Sequence, residues 1–394
     1  MRQWAVNGDA GQMAGRGRKL VLIAGGGVAA LEAMVALRRM AGELVDVELI
    51  SPDRDFFYRP LSVGEPFGLG EVLRFDLATL ARGCGATHRL GALVSIDADA
   101  HEVRTSRNVT FEYDFLLIAT GARPREAVPG ALTFRGEADI PLIRGMLSDI
   151  DRGLVKRLAF ALPGGVTWPL PLYELALLTA EHARDTTLEI TFVTPEESPL
   201  QILGREASEN VAGQLEDQRI RYLPMTYPDS YANGELRIVP SPPLLVDAVV
   251  SLPRLKGIPF AGVPQDEDSF IPVDPTCHVH GLEDVFAAGD ITTFPVKQGG
   301  LAAQQADVAA SEIAAAAGAD VVSKSFDPVL RGLLLSSSPR FFRTELSGGR
   351  GGRSTADSDA LWWPAAKIAS RFLSPYLAEH AGLAYGPRGP ASLL

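Results

Sequence analysis

Gly25-Gly26-Gly27-Val28-Ala29-Ala30 is the first arrangement in the chain that could do chemistry. In a Gly-x-Gly-x-x-Ala spacing the first glycine permits a sharp turn, and Gly27 lets the backbone approach a ligand that a Cβ would hold off. Ala30 keeps the following helix close to its strand. The helix start then offers unpaired N–H groups to an anion, and a pyrophosphate suits this spacing. The thiols are the next candidates. Cys84 and Cys277 are the only cysteines, so the chain has no CxxC redox pair and no disulfide framework. Cys277-His278-Val279-His280 has the wrong spacing for a known metal site and reads as a solvent loop. Cys84, between Gly83 and Gly85 after a helix, reads as a loop cysteine.

Such glycines work only between a strand and a helix. Leu20–Ala24 is a short apolar run of the kind found in a buried parallel strand; a helical pattern follows through Met40, and Val45–Ile50 is the next strand. Phe111–Ala119 predicts a further buried strand, broken by Gly121 and Pro124. A second βαβ unit begins near residue 155, with strand Leu158–Leu162, helix Leu170–His182 and strand Leu188–Val193. Asp247–Leu252 and Val285–Ala288 are late strands, the latter followed by a helix near Gly300–Ala316. Gly348–Asp359 is rich in Gly, Ser and Asp and predicts a flexible stretch. The fold class is α/β, with two Rossmann-like dinucleotide-binding domains and a C-terminal appendage. The expected division is a flexible tail over 1–18, a discontinuous dinucleotide-type domain over 19–150 and 256–318, a second dinucleotide-type domain over 151–255, and an appendage over 319–394.

The 394 residues suffice for two or three domains. Hydrophobic content of 46% with 22% charged residues excludes global disorder. With 37 Lys and Arg against 48 Asp and Glu, the net charge of −11 argues against nucleic acid as the main partner. No run of about 18 apolar residues predicts a spanning helix, and Met1–Gly17 has no signal-peptide pattern. The expected location is cytoplasmic, with peripheral contact to the inner face of the membrane.

Two further segments join the glycine turn. Tyr113-Asp114-Phe115-Leu116-Leu117-Ile118-Ala119-Thr120-Gly121-Ala122-Arg123-Pro124 resembles the strand-turn of two-dinucleotide flavoproteins, and Gly281-Leu282-Glu283-Asp284-Val285-Phe286-Ala287-Ala288-Gly289-Asp290 resembles their second FAD motif. All three motifs occur in the order of the pyridine nucleotide-disulfide oxidoreductase superfamily, and the resemblance runs from about Lys19 to Gly318. The chain is most similar in kind to type II NADH:quinone dehydrogenases and sulfide:quinone reductases. That resemblance implies a non-covalent FAD. It implies that the turn Gly25, Gly27, Val28, Ala29 and Ala30 meets the pyrophosphate, that Ala119, Thr120, Gly121 and Gly289 let the flavin chain lie against the strands, and that Asp290 accepts a ribityl hydroxyl. The usual ribose-binding acid is replaced by Ser51, with Asp53 the nearest carboxylate. Val47–Pro52 running into Phe56-Phe57-Tyr58-Arg59-Pro60 is similar to the loop beside the isoalloxazine, which brings in Arg59 and Pro60. By the same resemblance Lys297, Gln298, Gly299, Gly300 and Leu301 open a helix toward the flavin's pyrimidine edge, where N–H groups stabilise the reduced form. Lys297 would raise the flavin potential or steer a quinone; the plainer reading is a solvated lysine before a helix. Gln304 and Gln305 read as helix surface.

The second domain departs from the family pattern. Tyr173-Glu174-Leu175-Ala176 matches the helix of NADH-binding relatives except at Tyr173, but Pro163–Leu172 puts Thr167, Pro169 and Leu172 where three glycines belong. Bulky side chains block a pyrophosphate, and prolines remove N–H donors. Ser251-Leu252-Pro253 stands where a second strand-turn motif is expected. Thr191–Glu196 resembles the sulfide:quinone side of the group, yet the paired thiols of sulfide oxidation are absent. At the C-terminus, Leu361, Ala365, Ile368, Phe372, Leu373 and Tyr376 fall at helical spacing with Lys367, Ser370 and Arg371 opposite. That pattern predicts an amphipathic helix lying on a membrane surface, or packed on the chain's own core or a homodimer mate. The function expected is an FAD-dependent oxidoreductase passing electrons from a small-molecule redox substrate to a quinone or other acceptor. NAD(P)H as substrate at a remodelled site is one alternative, and a flavin-binding redox or regulatory partner with little turnover is another. No side chain stands out as a general acid, base or nucleophile.

Overall fold

The computed structural model describes residues 17–347 and 350–381. The N-terminal tail expected over 1–18 lies almost wholly outside the described residues. Two five-stranded parallel sheets organise the chain. The first has the spatial order Val285–Ala287, Phe115–Ile118, Lys19–Ala24, Val45–Ser51, Thr87–Leu90. The second runs Leu132–Thr133, Ala248–Ser251, Arg157–Ala161, Glu189–Val193, Arg221–Leu223. Val21, Leu22 and Ile23 are fully buried, as are Leu116, Leu117 and Ile118 beside them. Burial on both faces is what continuous apolar runs impose, and parallel pairing with helical crossovers satisfies it.

The helices Val28–Met40 and Leu170–His182 form over the residues the apolar periodicity marks. The expected strand Phe111–Ala119 divides instead into Thr110–Glu112 and Phe115–Ile118. Asp114 turns its carboxylate onto the start of the central strand at the break, accepting from the Leu20 N–H at 2.8 Å and from Lys19 Nζ at 2.7 Å. The passage between domains also falls earlier than residue 150. Leu132–Thr133 pairs with the second sheet, and the helix Ile140–Asp151 buries Ile143, Met146, Leu147 and Ile150 in the second core.

The appendage differs most from expectation. Val329–Leu334, Arg340–Ser347 and Arg350–Asp357 form an antiparallel sheet, so most of the stretch expected to be flexible is a strand. Leu330, Leu333, Leu334 and Phe342 seat this sheet against the second domain, and their partner strand follows whatever its composition. The helix expected from Leu361 forms only over Leu373–His380. Ile368, Leu373 and Leu377 are buried in the first domain's core and Lys367 is buried as well. Of the two readings of this stretch, packing on the chain's own core is the one these contacts favour, with Ile368 and Leu373 buried and Leu361, Ala365, Phe372 and Tyr376 half-buried. Among the described residues no helix is long and apolar enough to cross a membrane.

Candidate functional site

The glycine turn has the form its spacing predicts. Gly25 has φ +145°, and a Cβ there would lie 2.1 Å from the Ala119 carbonyl oxygen, so the two strand ends converge too tightly for any side chain. A Cβ on Gly26 would meet the Ser51 hydroxyl at 2.6 Å. Gly27 is different: a Cβ there would meet nothing within 4 Å. Gly27 caps the helix Val28–Met40 without a side-chain hydrogen bond, and no acidic residue occupies the first turn. Its leading N–H groups are left for an anion. Val28 is half-buried, while Ala29 and Ala30 are buried. Ala29 packs where a Cβ on Gly289 would be 3.2 Å away, so small residues bring the two motifs together.

These residues fit an FAD. The open space at Gly27 suits a pyrophosphate, and the buried Thr120 hydroxyl, in the turn Ala119-Thr120-Gly121, has no hydrogen-bond partner among the described residues. Ser51 is buried and accepts the Asp53 N–H at 3.2 Å, which leaves the exposed Asp53 carboxylate at the edge of the turn. Asp290 is half-buried, and burial pushes its carboxyl above the ordinary range while Lys297 and Arg59 pull it down. Gln305 holds the motif's backbone, accepting from the Gly289 N–H at 2.8 Å. Gln304 grips Val329, donating to its carbonyl and accepting from its N–H, each at 2.9 Å. Gln305 is buried and Gln304 half-buried, which corrects their reading as helix surface.

Beside this half of the site lies a cavity of about 520 Å³. Arg59, Pro60, Lys297, Gln298 and Gly299 line it; Gly300 and Leu301 do not. The Gln298 side chain accepts the Leu301 N–H at 2.9 Å and so caps the helix Gly299–Ala316 itself. Lys297 is no solvated lysine. It lies 3.9 Å from the centre of the Phe270 ring and donates to the Thr292 carbonyl, and burial lowers its ammonium to about 8.

The far wall holds a pair that motif reading missed. Glu174 and Lys367, both buried, form an ion pair at the cavity. Glu174 Oε1 also accepts the Leu335 N–H at 2.7 Å, and Lys367 Nζ donates to the Leu333 carbonyl at 2.9 Å. Burial drives the Glu174 carboxyl up and the Lys367 ammonium down, and their contact opposes both shifts. A charged residue inside the all-buried run Tyr173-Glu174-Leu175-Ala176 was the available signal. Tyr58, fully buried, accepts the Ile368 N–H at 2.8 Å and fixes the tail beside this pair.

The turn of the second domain carries prolines and bulky side chains. Its helix starts at Leu170 behind Pro169, with Pro171 in the first turn. Thr167 Oγ1 accepts the Lys297 N–H at 3.3 Å, and the Trp168 ring stands 3.3 Å from where a Cβ on Gly332 would be. Tyr173 donates to Glu196 at 2.7 Å, just past the second strand's end, and burial raises the Glu196 carboxyl to about 7. Ser251 is buried, its hydroxyl donating to the Ala161 carbonyl at 2.8 Å.

Both cysteines lie in loops, as expected, but neither faces solvent. Cys277 is fully buried, and burial pushes its thiol up to about 12. Cys84 is buried against Tyr376 at the end of the helix Leu77–Gly83, and burial raises its thiol too. His278 packs on Phe286 with ring centres 4.1 Å apart, and only His280 of that cluster is exposed.

Residues 19–146 match the family described as pyridine nucleotide-disulphide oxidoreductase. No curated protein matches the chain. Among solved structures, the sulfide:quinone oxidoreductase of the hyperthermophilic bacterium Aquifex aeolicus is 19% identical over 86% of each chain, with TM-score 0.77. A ferredoxin reductase from Rhodopseudomonas palustris is 20% identical over 84% of this chain and 83% of its own, with TM-score 0.63. A NAD-dependent persulfide reductase from A. fulgidus is 18% identical over 84% of this chain, TM-score 0.62, and this chain spans 65% of its length. The fold common to them is the two-dinucleotide-domain fold described above.

Proposed function

We propose that this chain, an FAD-dependent oxidoreductase of the pyridine nucleotide-disulphide type, passes electrons to a quinone-class acceptor in the 520 Å³ cavity. The observation that carries this reading is the buried Glu174–Lys367 pair in a cavity whose surface is mostly apolar, with Val63, Phe134, Trp168 and Leu333 in its lining beside Arg59, Arg135, Arg254, Asp268 and Lys297. An apolar slot with a few fixed polar groups suits a planar neutral ring. Reducing a quinone consumes two electrons and two protons; one proton can travel with the electron pair as a hydride, and a buried acid–ammonium pair can hold the other at that ring and hand it over. A bound FAD supplies the electron transfer. Arg59 and Lys297 place positive charge at the cavity, where negative charge develops on reduction. Pro169, Pro171 and the pinned Trp168 leave little cradle for a nicotinamide dinucleotide, which favours another donor.

The test is anaerobic stopped flow. The protein should bind FAD, and its photoreduced flavin should reoxidise rapidly with ubiquinone-1. Glu174→Gln should slow quinone reoxidation about 10²-fold or more and leave ferricyanide, which takes no proton, unaffected. Reoxidation by quinone that Glu174→Gln does not slow would remove the pair from the mechanism. Rapid bleaching by NADH with no response to quinone, or a protein that takes up no FAD, would overturn the whole reading.

A further inference from the structure

A second, smaller cavity of about 290 Å³ opens behind the first. The segment 367–371 and the strand Val329–Leu334 divide the two: Lys367, Ile368 and Leu333 face the first cavity, Arg371 and Arg331 the second. Two guanidinium groups, Arg331 and Arg371, and two indoles, Trp362 and Trp363, line it. Arg331 is half-buried, and no carboxylate among the described residues pairs with it. Its cross-strand neighbour is another cation, Arg343. A desolvated guanidinium beside a like charge is costly without an anion. Arg371 also forms no ion pair among the described residues, lying instead over the Phe372 ring at 4.7 Å. The single acid in the wall, Asp307, hydrogen-bonds Glu32, and burial raises its carboxyl to about 8, so it brings little charge to offset the arginines. Trp362 is held in place, its Nε1 donating to the Ala366 carbonyl at 2.9 Å and its ring set edge-on to Phe341.

We infer that this outer pocket is a binding site for a small planar anion, a one- or two-ring aromatic carboxylate or its equivalent. A guanidinium with no carboxylate partner selects an anionic group. Indole faces and guanidinium planes select a flat ring. The volume stands at the lower end for a ligand site and limits the ring system to about two rings. On a chain of net charge −11, an arginine with no carboxylate partner among the described residues, Arg331, runs against the overall balance.

The test is isothermal titration calorimetry on the flavin-loaded protein, with 2-naphthoate and its neutral amide, 2-naphthamide. One naphthoate should bind per chain, about tenfold or more tighter than the amide. Arg331→Gln should bring naphthoate down to the affinity of the amide, with the visible flavin band unchanged. Arg371→Gln, at an exposed position, should weaken naphthoate about threefold or more and decides the matter if Arg331→Gln does not fold. Equal affinities for the two probes, no naphthoate binding, or undiminished binding by the folded variants would overturn the assignment.

Discussion

Two glycines two residues apart have opposite tolerances, and the difference separates folding from cofactor binding. A methyl on Gly25 would be driven into the Ala119 carbonyl at a φ that L residues rarely adopt. Gly25→Ala should therefore cost about 2–4 kcal/mol and lower the folded yield. Gly27 has φ −94° and open space where its Cβ would stand. Gly27→Ala should fold with parent-like thermal stability and yet bind FAD about tenfold more weakly or worse, since the methyl fills the pyrophosphate's place. Far-ultraviolet circular dichroism and flavin fluorescence on both variants separate the outcomes; normal FAD affinity in Gly27→Ala would move the pyrophosphate elsewhere. At this scale much was legible. The glycine spacing, Thr120 in its turn and Asp290 after its strand are local patterns, and the backbone places them without help from distant chain. Glu174 and Lys367 are 193 residues apart, and no local pattern announces that two buried charges will meet.

At the scale of elements, the periodicity that located the helices of the two domains misled at the tail. Leu361–Tyr376 has helical spacing, but its residues are claimed one by one by other elements. Ile368 is bonded to Tyr58, Lys367 to Glu174, and the N–H groups of Arg371, Phe372 and Leu373 all to the Glu32 carboxylate. Tertiary contacts outweigh intrinsic helical preference, so the helix begins only at Leu373, where the last of these bonds is made. Glu32 projects from the helix Val28–Met40 and Asp307 from Gly299–Ala316, so three elements meet at two acids and Arg371. Asp307 titrates in the folded protein near 8 against an ordinary value of 3.8. The folded state thus holds a proton that the unfolded state gives up, and the associated stability is full below about 3.8 and lost as pH rises through about 8. Asp307→Asn keeps a neutral donor to Glu32 at every pH. Urea unfolding from pH 5 to 9 should show the variant gaining on the parent up to about pH 8 and running parallel above it. A constant difference across that range would show that Asp307 carries its charge throughout.

At the scale of the molecule, the tail makes the two dinucleotide domains one unit around the cavity. Within seven residues it crosses from an ion pair with the second domain, at Lys367, to a carboxylate of the first, at Leu373. Neither domain pattern contains this strap, so sequence reading could describe two domains without saying what fixes the cavity between them. The buried pair makes that dependence measurable. Lys367→Met should destabilise the protein by about 3–5 kcal/mol, because it strands the Glu174 carboxylate in an apolar wall. Adding Glu174→Gln to it should recover most of that loss, since a neutral amide can still accept the Leu335 N–H while no buried charge remains. Chemical unfolding followed by both intrinsic and flavin fluorescence reads the effect, and loss of flavin should coincide with loss of structure if the strap couples the domains. Additive losses in the double variant would mean that Lys367 acts by packing alone. Flavin release well before unfolding would mean that the cavity does not depend on the strap.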